Sequence, residues 1–262
     1  MKLNNRKVYI AAAAYALITG LSFLFVKIAL ESSDPFDLLA YRFSVAFIAI
    51  SISYAFKWIN FTYSKKRMLK IIPIALLYPL SFFAFQTFGL QHASSAEGGI
   101  FLASSPIFTL ILATYFLKEE TTFLQKLSIL ISVSGVIYIT VNKSTNLNYN
   151  SISIGKHLIK GTISSFFTPL TNLSFIISIL YLGVLSSLGT SLMTNYILSK
   201  IEASKMSVFA NLGTVITIIA GAAVLNENIY YYHIIGSVLI VGGVLGANFL
   251  DKKEAPDNLN SK

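Results

Sequence analysis

Long apolar runs separated by short polar breaks make up most of this 262-residue chain. A bilayer core about 30 Å thick needs roughly 20 residues of helix at a rise of about 1.5 Å each. Runs of that length lie near 8–29, 37–56, 71–90, 98–117, 122–141, 175–198, 206–225 and 229–250. They predict eight spanning helices, because a backbone in lipid must satisfy its own hydrogen bonds. The first run, from Val8 to about Leu30, is too long for a signal-peptide core, and no A-x-A-like site closes it. One stretch breaks the pattern. NKSTNLNYNSISIGKHLIKG is polar, and the apolar piece after it is interrupted by Pro169 and Asn172. The expected class is an all-α membrane protein, a polytopic helical bundle.

Composition agrees with the pattern. Hydrophobic residues make up 55% of the chain and charged residues 12%, whereas a soluble domain typically carries about 25% charged residues. The formal charge of +9 sits in the loops, where it reports orientation rather than a nucleic-acid partner. Lys2, Arg6 and Lys7 precede the first run, and Lys57, Lys65, Lys66, Arg67 and Lys70 follow the second. Lys118 and Lys126 flank the break between the fourth and fifth. The first loop is acidic (Glu31, Asp34, Asp37), and the third, QHASS, has no Lys or Arg. This bias places the N-terminus in the cytoplasm. Lys252 and Lys253 place the 251–262 tail there too, which requires an even helix count. Lys143, Lys156 and Lys160 run against the rule, since parity puts their segment outside; a re-entrant segment would relieve the conflict. Cysteine is absent, so disulfides and thiolate metal sites are excluded. The Lys-, Ile- and Asn-rich composition fits a low-GC bacterium, and the expected location is a bacterial plasma membrane.

Shifting the chain by 108 residues aligns its halves without a gap from about Leu69 to Val136. Phe101 meets Phe209, Thr109 meets Thr217, Glu119 meets Glu227 and Gly135 meets Gly243. The charge pattern of the two copies is inverted. QHASS corresponds to SKIEASK, which has Lys200 and Lys205, while the lysine-containing KEETTFLQK corresponds to NENIYYYH, which has none. Equivalent helices should therefore cross in opposite directions, as in inverted-repeat secondary transporters.

Several motifs carry a family resemblance. TGLSFLFVKIAL in the first run has Gly20, Phe23 and Lys27 in a W-G-x-x-F-x-x-x-K-like pattern, with Thr19 at the Trp position. DPFDLLAYRFSVA supplies Pro35 and Arg42 of a P-x(5)-R-F pattern. SSAEGGIFLASSPIFTLILATYFLKEE and its repeat FANLGTVITIIAGAAVLNE follow the ending A-x-x-P…L-G-E, with Thr214 where Pro is usual. In this order the motifs resemble the EamA-like, ten-helix branch of the drug/metabolite transporter superfamily. The resemblance implies five helices per half. This chain has five and then three, as if the sixth and most of the seventh helix were absent. The organisation then reads as a first repeat at 1–141, a polar connecting segment with a helix remnant at 142–174, and a truncated second repeat at 175–250.

Lys27 and Arg42 are the basic residues set inside apolar runs. Intramembrane charge points to function, although both could also snorkel outward toward Glu31, Asp34 or Asp37. Glu97 belongs to the same end and suits a helix N-terminus. Glu119 and Glu227, just ahead of the fifth and last helices, read as caps for those helices. Tyr15, Tyr78, Phe82, Phe85, Gln86, Asn195, Asn211 and Thr214 are candidates to line a central cavity, with interhelical packing as the plainer reading. Gly242-x-x-x-Gly246 is a close-packing motif, serving within the fold or in a homodimer through the last helix. Pro73, Pro79 and Pro106 predict kinks.

No catalytic set is visible. His92, His157 and His233 are widely separated, and there is no HExxH, Ser-x-x-Lys or phosphate loop. No cofactor is implied. The expected function is secondary transport of small metabolites, amino-acid-like or drug-like, by alternating access between inverted halves in the lipid bilayer. The competing expectation is a transport-inactive membrane protein, either a partial transporter or a partner subunit.

Overall fold

The computed structural model describes residues 2–58, 65–105, 108, 115, 123–144, 166–200 and 203–249. These residues form eight helices and no strand. They are α1 (Lys2–Leu30), α2 (Pro35–Ala55), α3 (65–92), α4 (Ser95–Ala103), α5 (Phe123–Ser144), α6 (Leu173–Leu198), α7 (Ala203–Val224) and α8 (Tyr231–Phe249). Each falls on one of the eight apolar runs. Half of the run at 98–117, including Pro106, lies outside the described residues, as do Glu119, 145–165 and the tail. By length and apolarity alone, α1, α2, α3 and α6 are each able to cross a membrane. Local chemistry sets the starts. Pro35 occupies the first turn of α2, where its missing N–H costs nothing. Ser94 and Glu97 form a capping box on α4. Asn172 accepts the Ser174 N–H at the start of α6.

Two of the long helices depart from regular α-helix in the same region. α3 kinks within Leu76–Ser81, and α6 runs through a π-helical segment at Tyr181–Gly189. Subtracting 108 from the second range gives 73–81, so the two irregular stretches overlap in the repeat. In α3 the break falls at Tyr78, whose φ of −141° and ψ of 120° are extended, just before Pro79. Pro73 lies inside regular helix.

The packing establishes the inversion. At one end of α4, the Glu227 carboxylate beyond the end of α7 accepts hydrogen bonds from the Ser95 and Ala96 amides, and further along Thr214 donates to the Gly99 carbonyl. α4 and α7 therefore run antiparallel. α5 and α8 do too: Gly135 lies against Gly236 and Leu239, while Ser128 lies against Gly246. These are the two pairs that the 108-residue shift equates. α1 and α7 run side by side in one direction, and a Cβ on Gly20 would sit 2.6 Å from the Gly213 carbonyl oxygen. Small residues let helices approach this closely in lipid, where dispersion contacts and interhelical hydrogen bonds hold them together. One buried cluster joins α1, α2 and α6 through Val26, Leu38, Phe175 and Leu182. A second joins α4, α5 and α8 through Ile100, Ile139, Tyr232 and Ile240.

The end of the connecting segment is anchored. Phe166 stacks on Tyr41 at 4.5 Å between ring centres, and its carbonyl accepts the Tyr41 hydroxyl. Asn172 donates to Ser32 in the turn between α1 and α2. Residues 166–172 therefore sit at the bundle end that carries the acidic first loop.

Candidate functional site

Arg42 is wholly buried, eight residues into α2. At about 1.5 Å per residue it lies about 10 Å along the helix, well inside a hydrocarbon half-thickness of about 15 Å. It does not snorkel. The side chain turns inward, and its Nε donates to Ser187 Oγ at 3.1 Å and its Nη2 to Ser186 Oγ at 3.0 Å. Nη1 reaches Gln86 Oε1 at 3.4 Å, and the guanidinium carbon lies 3.6 Å from the centre of the Phe83 ring. Among the described residues no carboxylate ion-pairs with it. A cation at mid-helix costs about 2.5–3.5 kcal/mol on insertion scales. Here neutral hydroxyls, one amide and a ring face offset that cost without cancelling the charge. The serines come from the π turn of α6, where the Ser187 hydroxyl also donates to the Leu182 carbonyl five residues back. π turns are frequent at functional sites because they re-aim side chains.

The Gln86 that meets Arg42 also lines a cavity of about 400 Å³ between α1, α3 and α4. Its walls are largely aromatic, with Phe23, Phe82, Phe85 and Phe101 around the Gln86 amide. Three of the residues expected to line a cavity, Phe82, Phe85 and Gln86, are brought together here. Such a chamber, apolar with one polar contact to fix orientation, fits a small organic molecule. Ser186, Ser187 and Phe83 escaped the sequence reading. The small polar run GVLSSLGTS inside an apolar helix was the available signal.

Lys27 has a different role. Its ammonium donates to the carbonyls of Leu90 and Ala93 at 3.0 and 2.9 Å. These are carbonyls at the C-terminal end of α3, where a cation complements the helix dipole. Nor does the ammonium reach toward the acidic loop. Glu97 closes its own capping box, with Oε2 accepting from the Ser94 amide at 2.8 Å, and its Oε1 stands 3.5 Å from His233 Nε2. His233 is buried, and its Nδ1 accepts from the Tyr230 amide. Glu227 corrects an expectation. It caps α4, with Ser95 N and Oγ at 2.7 and 2.8 Å, rather than the last helix that follows it in sequence. The amides of α4 are closer in space than those of α8, and the resulting contact ties the two halves together.

Of the remaining candidates, the Tyr78 phenol stands in electrostatic reach of Arg42 and Tyr15, and the others are dispersed. Tyr15 packs beside the cluster of Val8, Ala12, Ile197 and Met206. Tyr78 and Asn195 are exposed. Thr214 is spent on the α4–α7 hydrogen bond. Asn211 lies on α7, and its side chain is outside the described residues. Of the two glycines of the close-packing motif in the last helix, Gly246 packs on Ser128 of α5, whereas Gly242 faces open space.

Comparison with known proteins agrees with this architecture. The profile of the EamA-like transporter family matches residues 6–141 and again 145–249. An uncharacterized transporter of Bacillus subtilis, YcxC, is 40% identical over 310 aligned positions, covering all of this chain and 99% of that protein. An uncharacterized transporter of Archaeoglobus fulgidus is 26% identical, with 91% of this chain and 97% of that protein covered. A second Bacillus subtilis protein, the uncharacterized transporter YyaM, is 26% identical over 94% of this chain and 95% of its own length. No solved structure matches the chain.

Proposed function

Because this chain belongs to the EamA-like transporter family, we propose that it is a secondary transporter that exports small metabolites, amino-acid-like or drug-like, by alternating access. The observation that carries the reading is the antiparallel packing of repeat-equivalent helices, α4 on α7 and α5 on α8, with a departure from regular α-helix at overlapping positions in each half. In such a fold two inverted halves rock about a central site and expose it to either side in turn. The absence of a phosphate loop from the sequence favours an ion or substrate gradient as the driving force. In this reading the protein sits in a bacterial plasma membrane with both termini cytoplasmic. Arg42 and Gln86 face the substrate, Lys27 and Glu97 hold the helix ends that must move, and Tyr15, Asn195 and Asn211 belong to other faces of the pathway.

A second reading has its own support. The second family match spans 105 residues against 136 for the first. The alignment to YcxC has 310 positions for a chain of 262, so at least 48 positions hold no residue of this chain. A chain short of two helices would be a transport-inactive membrane protein, either a partial transporter or a partner subunit. Counterflow of a labelled metabolite panel in proteoliposomes, with this chain beside a version carrying two inserted helices after residue 144, separates the two. Flux by the native chain supports the transporter. Flux only after the insertion rejects it in favour of the transport-inactive protein.

A further inference from the structure

We propose that Arg42 and Gln86 form a binding site for small organic anions with an apolar or aromatic body, the carboxylate directed to Arg42 and the body held in the adjoining aromatic cavity. The proposal rests on the transport reading for the use of the site, but its chemistry stands on the geometry alone.

The first ground is charge. The Arg42 guanidinium is fully buried, and its partners among the described residues are two serine hydroxyls, one amide and the Phe83 ring, with the Tyr78 phenol in electrostatic reach and no carboxylate. A guanidinium carries five N–H donors in a planar fork that matches a carboxylate in two-point contact. Three of the five are used here, so the fork has donors left and, among the described residues, no anion to receive them.

The second ground is access. Of the three hydrogen bonds, the one to Gln86 is the longest at 3.4 Å, beyond the usual range for N–H to O contacts. It is also the one on the cavity side, since Gln86 lines the chamber that Phe23, Phe82, Phe85 and Phe101 wall. An incoming carboxylate replaces the weakest acceptor and leaves both serines in place. The displaced Gln86 amide can then donate its own N–H to the same carboxylate.

The third ground is selection. The walls offer aromatic faces and no described acidic or basic side chain, so a neutral body fits and a second charge on it does not. Small inorganic anions would gain the charge contact but nothing from the walls. Organic cations would meet Arg42 across a low-dielectric gap and be rejected.

The test uses two probes of the same shape, 3-phenylpropionate and its neutral amide, 3-phenylpropionamide. Thermal unfolding of the purified chain in detergent is followed as each is titrated, because a ligand that binds only the folded state raises the midpoint. The acid should raise the midpoint in a saturable manner, and the amide at equal concentration should not. Arg42→Gln should abolish the response. Arg42→Lys, which keeps the charge but loses the fork, should weaken it about tenfold or more in apparent Kd, and so should Gln86→Leu. Equal responses to acid and amide, no response to either, or a full response in Arg42→Gln would each overturn the proposal. The wild-type comparison decides even where a variant fails to fold. Acid binding without flux in the counterflow assay would sink the transport reading and leave this site standing. Flux of neutral solutes with no acid binding would do the reverse.

Discussion

α3 and α6 are the same element in two copies, and they fare very differently. Both depart from regular α-helix at equivalent positions, α3 by a kink at Tyr78 and α6 by a π segment. α6 is seated between α1 and α2, with Phe175 and Leu182 fully buried and Gly183 pressed on Val45. α3 is largely bare: Leu77 is 74% exposed, Phe85 is 78% exposed, and nothing lies within 4 Å of a Cβ placed on Gly89. Pseudo-symmetry explains the contrast. α6 packs on the first two helices of the opposite repeat, so α3 should pack on the first two helices of the second repeat. Those would be the sixth and seventh helices of a ten-helix chain. We infer that the bare face of α3 marks where they would lie, in keeping with a second family match 31 residues shorter than the first. Helix propensity and the local irregularity belong to each copy alone, but burial depends on the other half.

The largest effect should come from testing the two seats with the same substitution. In Gly183→Leu the new Cβ would stand 2.6 Å from a Val45 methyl and 3.1 Å from the Arg42 carbonyl oxygen. Overpacking of this kind typically costs 1–3 kcal/mol, and with backbone on one side we expect about 3 kcal/mol. Gly89→Leu meets open space and removes a glycine from a helix, so it should be neutral or stabilise by about 0.5–1 kcal/mol. Thermal unfolding in micelles measures both. Equal losses would show that α3 is as tightly seated as α6 and end the comparison.

A smaller effect is expected at Lys27. Few contacts hold the bare helix, and the Lys27 hydrogen bonds to the Leu90 and Ala93 carbonyls fix its end. Lys27→Met keeps the stem and loses the cap, which should cost about 1–2 kcal/mol. Flux should fall only in proportion to folded protein. Unchanged unfolding with lowered flux would transfer Lys27 from the helix end to the substrate path.

How much of this was legible in the chain varies with the range of the interaction. Spans were legible because bilayer thickness imposes a length on each apolar run. The inversion was legible because loop charge responds to sidedness alone. Phe82, Phe85 and Gln86 share a cavity because they lie within a little more than one turn of a single helix, which spacing reveals. The partners of Arg42 were not legible, since Ser186 and Ser187 come from 144 and 145 residues away, through a packing that no local pattern encodes. Glu227 was read as a cap correctly but given the wrong helix. Sequence proximity named α8, whereas the fold brings the first amides of α4 to it.

The smallest stability effect, within about 0.5 kcal/mol for an exposed position, carries the sharpest question about the bare face: whether water reaches it. The chain has no cysteine, so a single introduced thiol labels without background. Maleimide reacts with the thiolate, which forms in water and is suppressed in hydrocarbon. Phe85→Cys places the thiol on the exposed, cavity-lining side of α3, and Leu182→Cys places it in the fully buried seat of α6. In sealed vesicles the first should label readily with a membrane-permeant maleimide and the second hardly at all. Labelling of Phe85→Cys should slow when 3-phenylpropionate fills the chamber and remain unchanged with the amide. A thiol at position 85 that reacts in detergent but stays inert in vesicles would place this face in lipid or beneath another chain. The route by which an anion reaches Arg42 from water would then have to lie elsewhere.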